Sequence, residues 1–149
     1  MNYPGRMVLE SLEKLLALPE ITPQSVGFAL RCKGGYSNSG AEMFSRRVWY
    51  WSGQREQLGI IEIRSLEPVT SLSNCLVVLT LDRGVVLRGK EILLRFGKPD
   101  EVTTSGSDCP VRGQIYRYKK SSHLCAFKID EVTDKVTHVI LYSGLHFRQ

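Results

Sequence analysis

The stretch that decides the fold runs from residue 89 to residue 102 and reads GKEILLRFGKPDEV. Its large apolar residues are Ile92, Leu93, Leu94 and Phe96. A glycine directly after the last of them and a proline two residues later are typical of the end of a helix. The stretch therefore predicts a helix over residues 89–96.

Beyond this helix the sequence takes on the composition of loops and strands. Residues 102–113 hold Gly, Ser, Asp and Pro in the proportion of a loop. Residues 114–118, 124–129 and 136–142 are rich in aromatic and β-branched residues and have the length of strands. The second half of the chain thus predicts a helix, a loop and three strands.

The first half begins with helical patterns of its own. Apolar residues at helical spacing predict a first helix over residues 8–18, which Pro19 ends. Thr22 and Pro23 are typical of an N-cap followed by a first helical turn. They predict a second helix over residues 23–30.

A loop and three strands complete the first half. Residues 33–40 contain three glycines, two serines and an asparagine, which predicts a loop. Residues 48–51, 59–64 and 75–81 predict the strands of an antiparallel meander. Residues 52–53, Ser-Gly, are expected to form the turn after the first of these strands.

The two halves agree residue by residue. The matched positions are Glu13, Leu15, Leu16 and Leu18 with Glu91, Leu93, Leu94 and Phe96, Trp49 and Trp51 with Tyr116 and Tyr118, and residues 77–79 with 139–141. Recurrence in order predicts two copies of one structural unit. We expect an α+β fold of two similar helix-then-antiparallel-strand units, over about residues 8–82 and 85–144. A chain of 149 residues buries one sizeable core, so a single domain over residues 1–149 is expected.

The charge of the chain does not favour a nucleic-acid partner. The net charge is +5, and the excess lies in residues 76–149, which hold 12 basic and 8 acidic residues. The densest basic spot, Arg117, Lys119 and Lys120, is shorter than the basic stripe of a typical nucleic-acid surface.

The N-terminal segment does not resemble a targeting signal. Glu10, Glu13 and Pro19 interrupt its apolar residues, so the uninterrupted apolar core of a secretory signal is missing. No run approaches the ~18 apolar residues that cross a bilayer. We expect a cytoplasmic protein that has no membrane partner.

The cysteine spacing argues against a metal site. Cys32, Cys75, Cys109 and Cys125 include no Cys-x-x-Cys pair, so neither a metal nor another cofactor is expected. Free thiols are favoured in a cytoplasmic protein, and a disulfide between Cys109 and Cys125 stays open as an alternative.

The titratable residues form no recognisable catalytic motif. His138 alternates with apolar residues and is interpreted as a strand histidine on one face of the sheet. His123 stands beside two serines in a predicted turn, where exposure is expected, and His146 lies in the C-terminal tail. We therefore predict that the chain is not an enzyme.

A family resemblance agrees with the internal repeat. The motif FGKPDEV at residues 96–102, the Tyr116-x-Tyr118 strand, Val136 and Tyr142 resemble one repeat of the fold shared by β-lactamase inhibitor protein and the small outer-membrane assembly lipoproteins. The tandem arrangement is similar to that of the inhibitor and covers about residues 8–144. The resemblance implies helices packed on one face of a curved antiparallel sheet, with Trp49 and Trp51 in the core and Tyr50 displayed.

These observations favour a non-enzymatic protein-binding module that blocks another protein, either an inhibitor or a toxin-immunity protein. Tyrosine and arginine are enriched at binding hot spots, and basic residues suit an acidic partner protein. The predicted contact residues are Arg47, Tyr50, Arg117, Lys119, Ser37, Asn38, Ser39 and Asp108. The oligomeric state stays open.

Two other classes of function remain as alternatives. The first is a single-stranded nucleic-acid-binding protein that uses residues 112–120 and stacks bases on Tyr116 and Tyr118. The second is an enzyme whose site assembles from scattered residues such as Cys125 and His123.

Overall fold

The computed structural model of the chain describes residues 1–31, 34–43, 46–55, 59–65, 76–104, 113–120 and 123–143. Within these residues lie three α-helices and eight β-strands. The predicted α+β class is confirmed.

Helix α1 spans Tyr3–Leu16 and begins at an asparagine cap. The side-chain oxygen of Asn2 accepts a hydrogen bond from the Gly5 backbone N–H at 3.0 Å, and it also accepts one from the Val86 N–H at 3.0 Å. The Asn2 amide donates to the Gly84 carbonyl at 2.8 Å. The predicted start at residue 8 was wrong, because the pattern of apolar residues does not reveal the polar cap at Asn2, which lies further upstream.

The other two helices have the predicted bounds. Helix α2 spans Pro23–Leu30 and begins with a capping box, in which Thr22 and Ser25 each accept a hydrogen bond from the other's backbone N–H. Helix α3 spans Gly89–Phe96 and ends at Gly97, whose φ of 78° suits glycine. Local signals therefore mark the start of α2 and the end of α3, whereas the first N–H groups of α3 donate to Asp134, which is distant in sequence.

The eight strands form one antiparallel sheet. In chain order they are β1 Gly34–Met43, β2 Arg46–Arg55, β3 Gly59–Ser65, β4 Leu76–Thr80, β5 Glu101–Thr104, β6 Gly113–Lys120, β7 His123–Asp130 and β8 Val136–Ser143. Across the sheet the order is β1-β2-β3-β4-β8-β7-β6-β5, and each neighbouring pair is antiparallel. The predicted antiparallel strands are confirmed.

Three segments predicted as connections are strand instead. Residues 34–40 belong to β1, residues 52–53 lie inside β2, and residues 102–104 belong to β5. Glycine and serine disfavour strands locally, but pairing with a neighbouring strand satisfies their backbone N–H and C=O groups. Residues 105–112 of the second predicted loop lie outside the described residues.

Strands β4 and β8 join the two halves of the sequence in the middle of the sheet. Val77 pairs with Leu141 and Leu79 pairs with Val139. Both strands are apolar at consecutive positions, which is typical of a central strand with little exposure on either face. The sheet is therefore continuous.

The core lies between the helices and one face of the sheet, which we call the first face. Its strand residues alternate along each strand: Ile61, Val77, Leu79, Tyr118, Cys125, Phe127, Ile129, Val139 and Leu141. Buried residues of all three helices, such as Leu12, Leu30 and Ile92, belong to the same cluster. The helices therefore cover the first face.

Replacing Phe127 by alanine tests this core. Phe127 is fully buried and its ring contacts those of Phe96 and Tyr118. Removing a buried phenyl side chain leaves a cavity, so we expect Phe127→Ala to lower the free energy of unfolding by about 3–5 kcal/mol. Urea denaturation measures the loss. Val132→Ala, at a side chain that is 91% exposed, is the control and should change stability by less than ~0.5 kcal/mol.

Candidate functional site

The strand register brings three of the predicted contact residues into one row across the sheet. Lys119 pairs with Leu124 and Ser37 pairs with Tyr50 at the two ends of this row. The full row is Lys119, Leu124, Tyr142, Leu76, Arg64, Tyr50 and Ser37. These residues alternate with those of the core, so the row belongs to the opposite side of the sheet, which we call the second face.

A neighbouring row contains Arg117. It pairs with Ala126, and the row continues through Ile140, Val78 and Glu62. Arg117 and Lys119 thus lie two residues apart on β6 and share the second face. The register brings Ser37, Tyr50, Arg117 and Lys119 to a common face of one sheet.

The centre of the second face is apolar and its β6 side is polar. Val78, Leu124 and Ala126 are buried. Leu76, Ile140 and Tyr142 are half-buried, as is Arg117, while Lys119 is exposed. This arrangement combines an apolar centre with a charged margin.

Arg117 and Lys119 are both held by the segment that enters β5. The Arg117 guanidinium donates a hydrogen bond to the Thr103 hydroxyl at 2.6 Å. The Asp100 carboxylate accepts one from the Lys119 backbone N–H at 2.7 Å, and the Asp100 N–H donates to the Arg117 carbonyl at 2.9 Å. The two basic residues are therefore placed by a fixed backbone, and the Arg117 side chain is ordered before any partner arrives.

Other predicted contact residues do not join these rows. Arg47 pairs with Glu42, and Asn38 pairs with Trp49. Along their strands both positions alternate with those of Tyr50 and Ser37, so the register assigns them to the side of the first face. Ser39 lies where the pairing of β1 with β2 shifts, and Asp108 lies outside the described residues.

The tryptophans have the register of the core. Trp51 pairs with Ile63, Ile63 pairs with Val77, and Val77 pairs with Leu141. Val77 and Leu141 are fully buried on the first face. The backbone register therefore puts Trp51 in the same cross-strand row as these buried residues.

Tyr118 is not a platform for base stacking. It is 2% exposed, its ring lies 5.6 Å from that of Phe96 between centroids, and its hydroxyl donates to the Gly97 carbonyl at 2.9 Å. Burial raises the pKa of Tyr118 to about 12, with smaller contributions from Tyr116, Cys125 and Asp100. The expectation that Tyr118 stacks bases was therefore wrong, whereas Tyr116 is half-buried.

His123 and Cys125 do not form a reactive pair. His123 is the first residue of β7 and is buried, so the expectation of an exposed turn was wrong. Its Nε2 bonds to the Leu18 carbonyl, which is a structural contact between the helix layer and the sheet. Cys125 is a free thiol in the core, and burial raises its pKa above the usual range. A buried neutral thiol is a poor nucleophile.

The remaining candidates from the sequence are two histidines and three cysteines. His138 is a half-buried residue of β8, in register with Thr80 and Lys128, as expected for a strand histidine. Outside the described residues lie Cys32, Cys75, Cys109 and His146. Cys125, the other residue of the disulfide considered above, is a free thiol. Among the described residues no cluster of three or more His, Cys, Asp or Glu side chains is placed to hold a metal ion.

The sequence predicts that the protein has no membrane partner. In the described part of the chain, no helix combines the length and the apolar character needed to span a bilayer.

The fold defines this chain as an α+β protein whose helices cover one face of an antiparallel sheet. No family model matches the chain, and no curated protein matches it. Among solved structures it is similar to the crystal structure of a DUF4309 family protein (YjgB) from Bacillus subtilis subsp. subtilis str. 168. The TM-score is 0.50 at 11% sequence identity, over 95% of this chain and 99% of that chain. At this identity the likeness concerns the fold alone.

Replacing Tyr118 by phenylalanine should produce a pH-dependent change in stability. Tyrosine in an unfolded chain titrates near pH ~10, whereas folded Tyr118 keeps its proton to about pH 12. The unfolded state therefore loses a proton first, and this contribution to stability, complete below pH ~10, is lost as the pH rises towards ~12.

We expect Tyr118→Phe to be less stable than the wild type by about 1 kcal/mol near neutral pH, because the hydrogen bond to Gly97 is lost. This difference should shrink as the pH rises above ~10. Urea unfolding of both proteins between neutral pH and pH ~11 measures it, with Tyr116→Phe as control. A difference that stays constant over this range would contradict the assignment.

Proposed function

We propose that this chain is a non-enzymatic protein-binding module that blocks another protein, as an inhibitor or a toxin-immunity protein does. The observation that carries the proposal is the cross-strand row on the second face, where Ser37, Tyr50 and Lys119 share a register with Leu76 and Tyr142. Predicted contact residues from both halves of the sequence thus belong to one face of one sheet.

The composition of this face supports a protein partner. Half-buried Leu76, Ile140 and Tyr142 would lose their remaining contact with water in a complex, and burial of apolar area is the main driving force of association. Arg117 and Lys119 add a basic margin that favours acidic groups on the partner. Because Arg117 is already bonded to Thr103, its immobilisation in a complex costs less conformational entropy.

We further propose that the sheet consists of two similar units that meet at the β4–β8 pair. On one side of this pair the strands follow as β3, β2 and β1, and on the other side as β7, β6 and β5. The matched aromatic strands β2 and β6 are each two strands away from the central pair. Such an arrangement would give the second face a contribution from each unit, as in the tandem inhibitor that the sequence resembles.

The proposal is tested first by identifying a partner. The tagged chain is incubated with lysate of its native cell at moderate salt after nuclease treatment, and bound proteins are identified by mass spectrometry. One stoichiometric protein supports the proposal. Recovery of no protein here, with nucleic acid and its bound proteins recovered only in a parallel sample without nuclease, contradicts it, because phosphate-dominated binding is the signature of the other class. Recovery of no protein in either sample contradicts it too.

Substitutions then test the face. We expect Tyr50→Ala and Arg117→Ala each to raise the Kd for the recovered partner about tenfold or more, since tyrosine and arginine dominate binding hot spots. Arg6→Ala removes the same charge from an exposed position of α1 and should leave the Kd unchanged. Titration calorimetry measures all four proteins, and unchanged binding by both test variants rules out this surface.

A further inference from the structure

The outer side of the helix layer carries an exposed phenylalanine. In helix α2 the side chains of Val26 and Leu30 are fully buried in the core, whereas Phe28 between them is 87% exposed. The outward position of an amphipathic helix normally carries a polar residue. Leaving a phenyl ring in water forfeits the free energy that its burial would contribute.

A groove lies beside this ring. Its volume is about 840 Å³, and it runs between the C-terminal end of α1 and helix α2. Ala17, Leu18 and Phe28 supply apolar lining, and a second, smaller depression of about 340 Å³ adjoins it at Leu18 and Phe28. The ring therefore stands between two hollows, either of which has room for an apolar side chain of a ligand.

The charges that line the larger groove are all positive. Lys14 and Arg31 are its charged lining residues, and both are exposed. Neither forms an ion pair with a residue that the structure describes. Arg31 is also fixed at its backbone, because it adopts the left-handed conformation at φ 51° and its N–H bonds back to helix α2. Two cations that have no ion pair among the described residues thus flank an apolar groove.

We propose that this groove binds a short peptide segment of a partner protein, in which an apolar side chain stands next to aspartate or glutamate. The apolar side chain packs against Phe28 and Leu18, and the carboxylates pair with Lys14 and Arg31. Arginine and aromatic residues together are the typical composition of a binding hot spot. This site lies on the outer side of the helices, so it is independent of the second face of the sheet and of the function proposed for it.

The charges favour such a peptide over a second copy of this chain. A two-fold symmetric dimer places the same patch on both sides of its interface. Pairing Phe28 with Phe28 would bring two copies of Lys14 and of Arg31 together, and like charges brought close in a partly desolvated interface repel each other. An acidic peptide instead neutralises the two cations.

The test is selection of a random peptide library displayed on phage against the intact wild-type chain. We expect the enriched peptides to share an aliphatic or aromatic residue flanked by Asp or Glu. For a fluorescently labelled consensus peptide, Phe28→Ala should raise the Kd about tenfold or more, and the double variant Lys14→Glu, Arg31→Glu should do the same.

Matched controls distinguish binding at the groove from nonspecific binding to exposed apolar side chains. Leu94→Ala removes an equally exposed apolar side chain, 87% accessible, from helix α3 and should leave the Kd unchanged. A peptide with its acidic residues replaced by lysine should bind the double charge variant better than the wild type. Because Phe28, Lys14 and Arg31 are exposed, the urea midpoints of the variants should match that of the wild type.

Three results would overturn the proposal. They are the absence of any peptide enrichment on the wild type, enriched peptides that bind Phe28→Ala equally well, and sedimentation of the wild type as a dimer that Phe28→Ala abolishes. The last result would assign the groove to a second copy. Phe28 lies on the outer side of the helices, away from the second face. Failure to find a partner for the second face would therefore leave the peptide result unchanged, and each proposal can fail without the other.

Discussion

The pairing of β4 with β8 is the constraint on which the rest of the structure depends. It joins two strands from opposite halves of the sequence through Val77 with Leu141, Val78 with Ile140 and Leu79 with Val139. Consecutive apolar residues leave neither strand a face that is stable in water, so each requires a neighbour on both edges and cover on its surfaces. Without this pair the sheet would separate into two four-stranded pieces, each with an apolar unpaired edge. With it, one core serves all three helices.

Polar contacts then fix the helix layer on the sheet. The Asn2 side chain bonds the start of α1 to Val86, and His123 bonds the Leu18 carbonyl just beyond the end of this helix. The Tyr118 hydroxyl donates to the Gly97 carbonyl at the end of α3. Each contact satisfies a backbone group near a helix end that would otherwise lose a hydrogen bond on burial. Two of these contacts are made by residues that the sequence suggested as candidates for catalysis or base stacking. His123 and Tyr118 therefore work as structural ties.

The division of the molecule into a helix layer and a sheet leaves two surfaces with different characters. The second face of the sheet offers a broad, partly buried apolar centre with Arg117 and Lys119 at its margin. The groove at Phe28 carries Lys14 and Arg31, neither of which forms an ion pair with a residue in the described part of the chain. Because a sheet and a helix layer separate them, a large partner on one leaves the other accessible.

The sequence by itself determined the helices α2 and α3, the strand class of most of the remaining elements and the alternation that assigns Tyr50 and Trp51 to different faces. These features rest on capping groups and on residue spacing, which act within a few residues along the chain. Tertiary structure alone decided that Gly34–Met43 is a strand, that His123 is buried and that the sheet is continuous. The physical reason is that backbone pairing and burial depend on partners distant in sequence, whose free energy of interaction outweighs local preference and leaves no periodicity for a sequence to display.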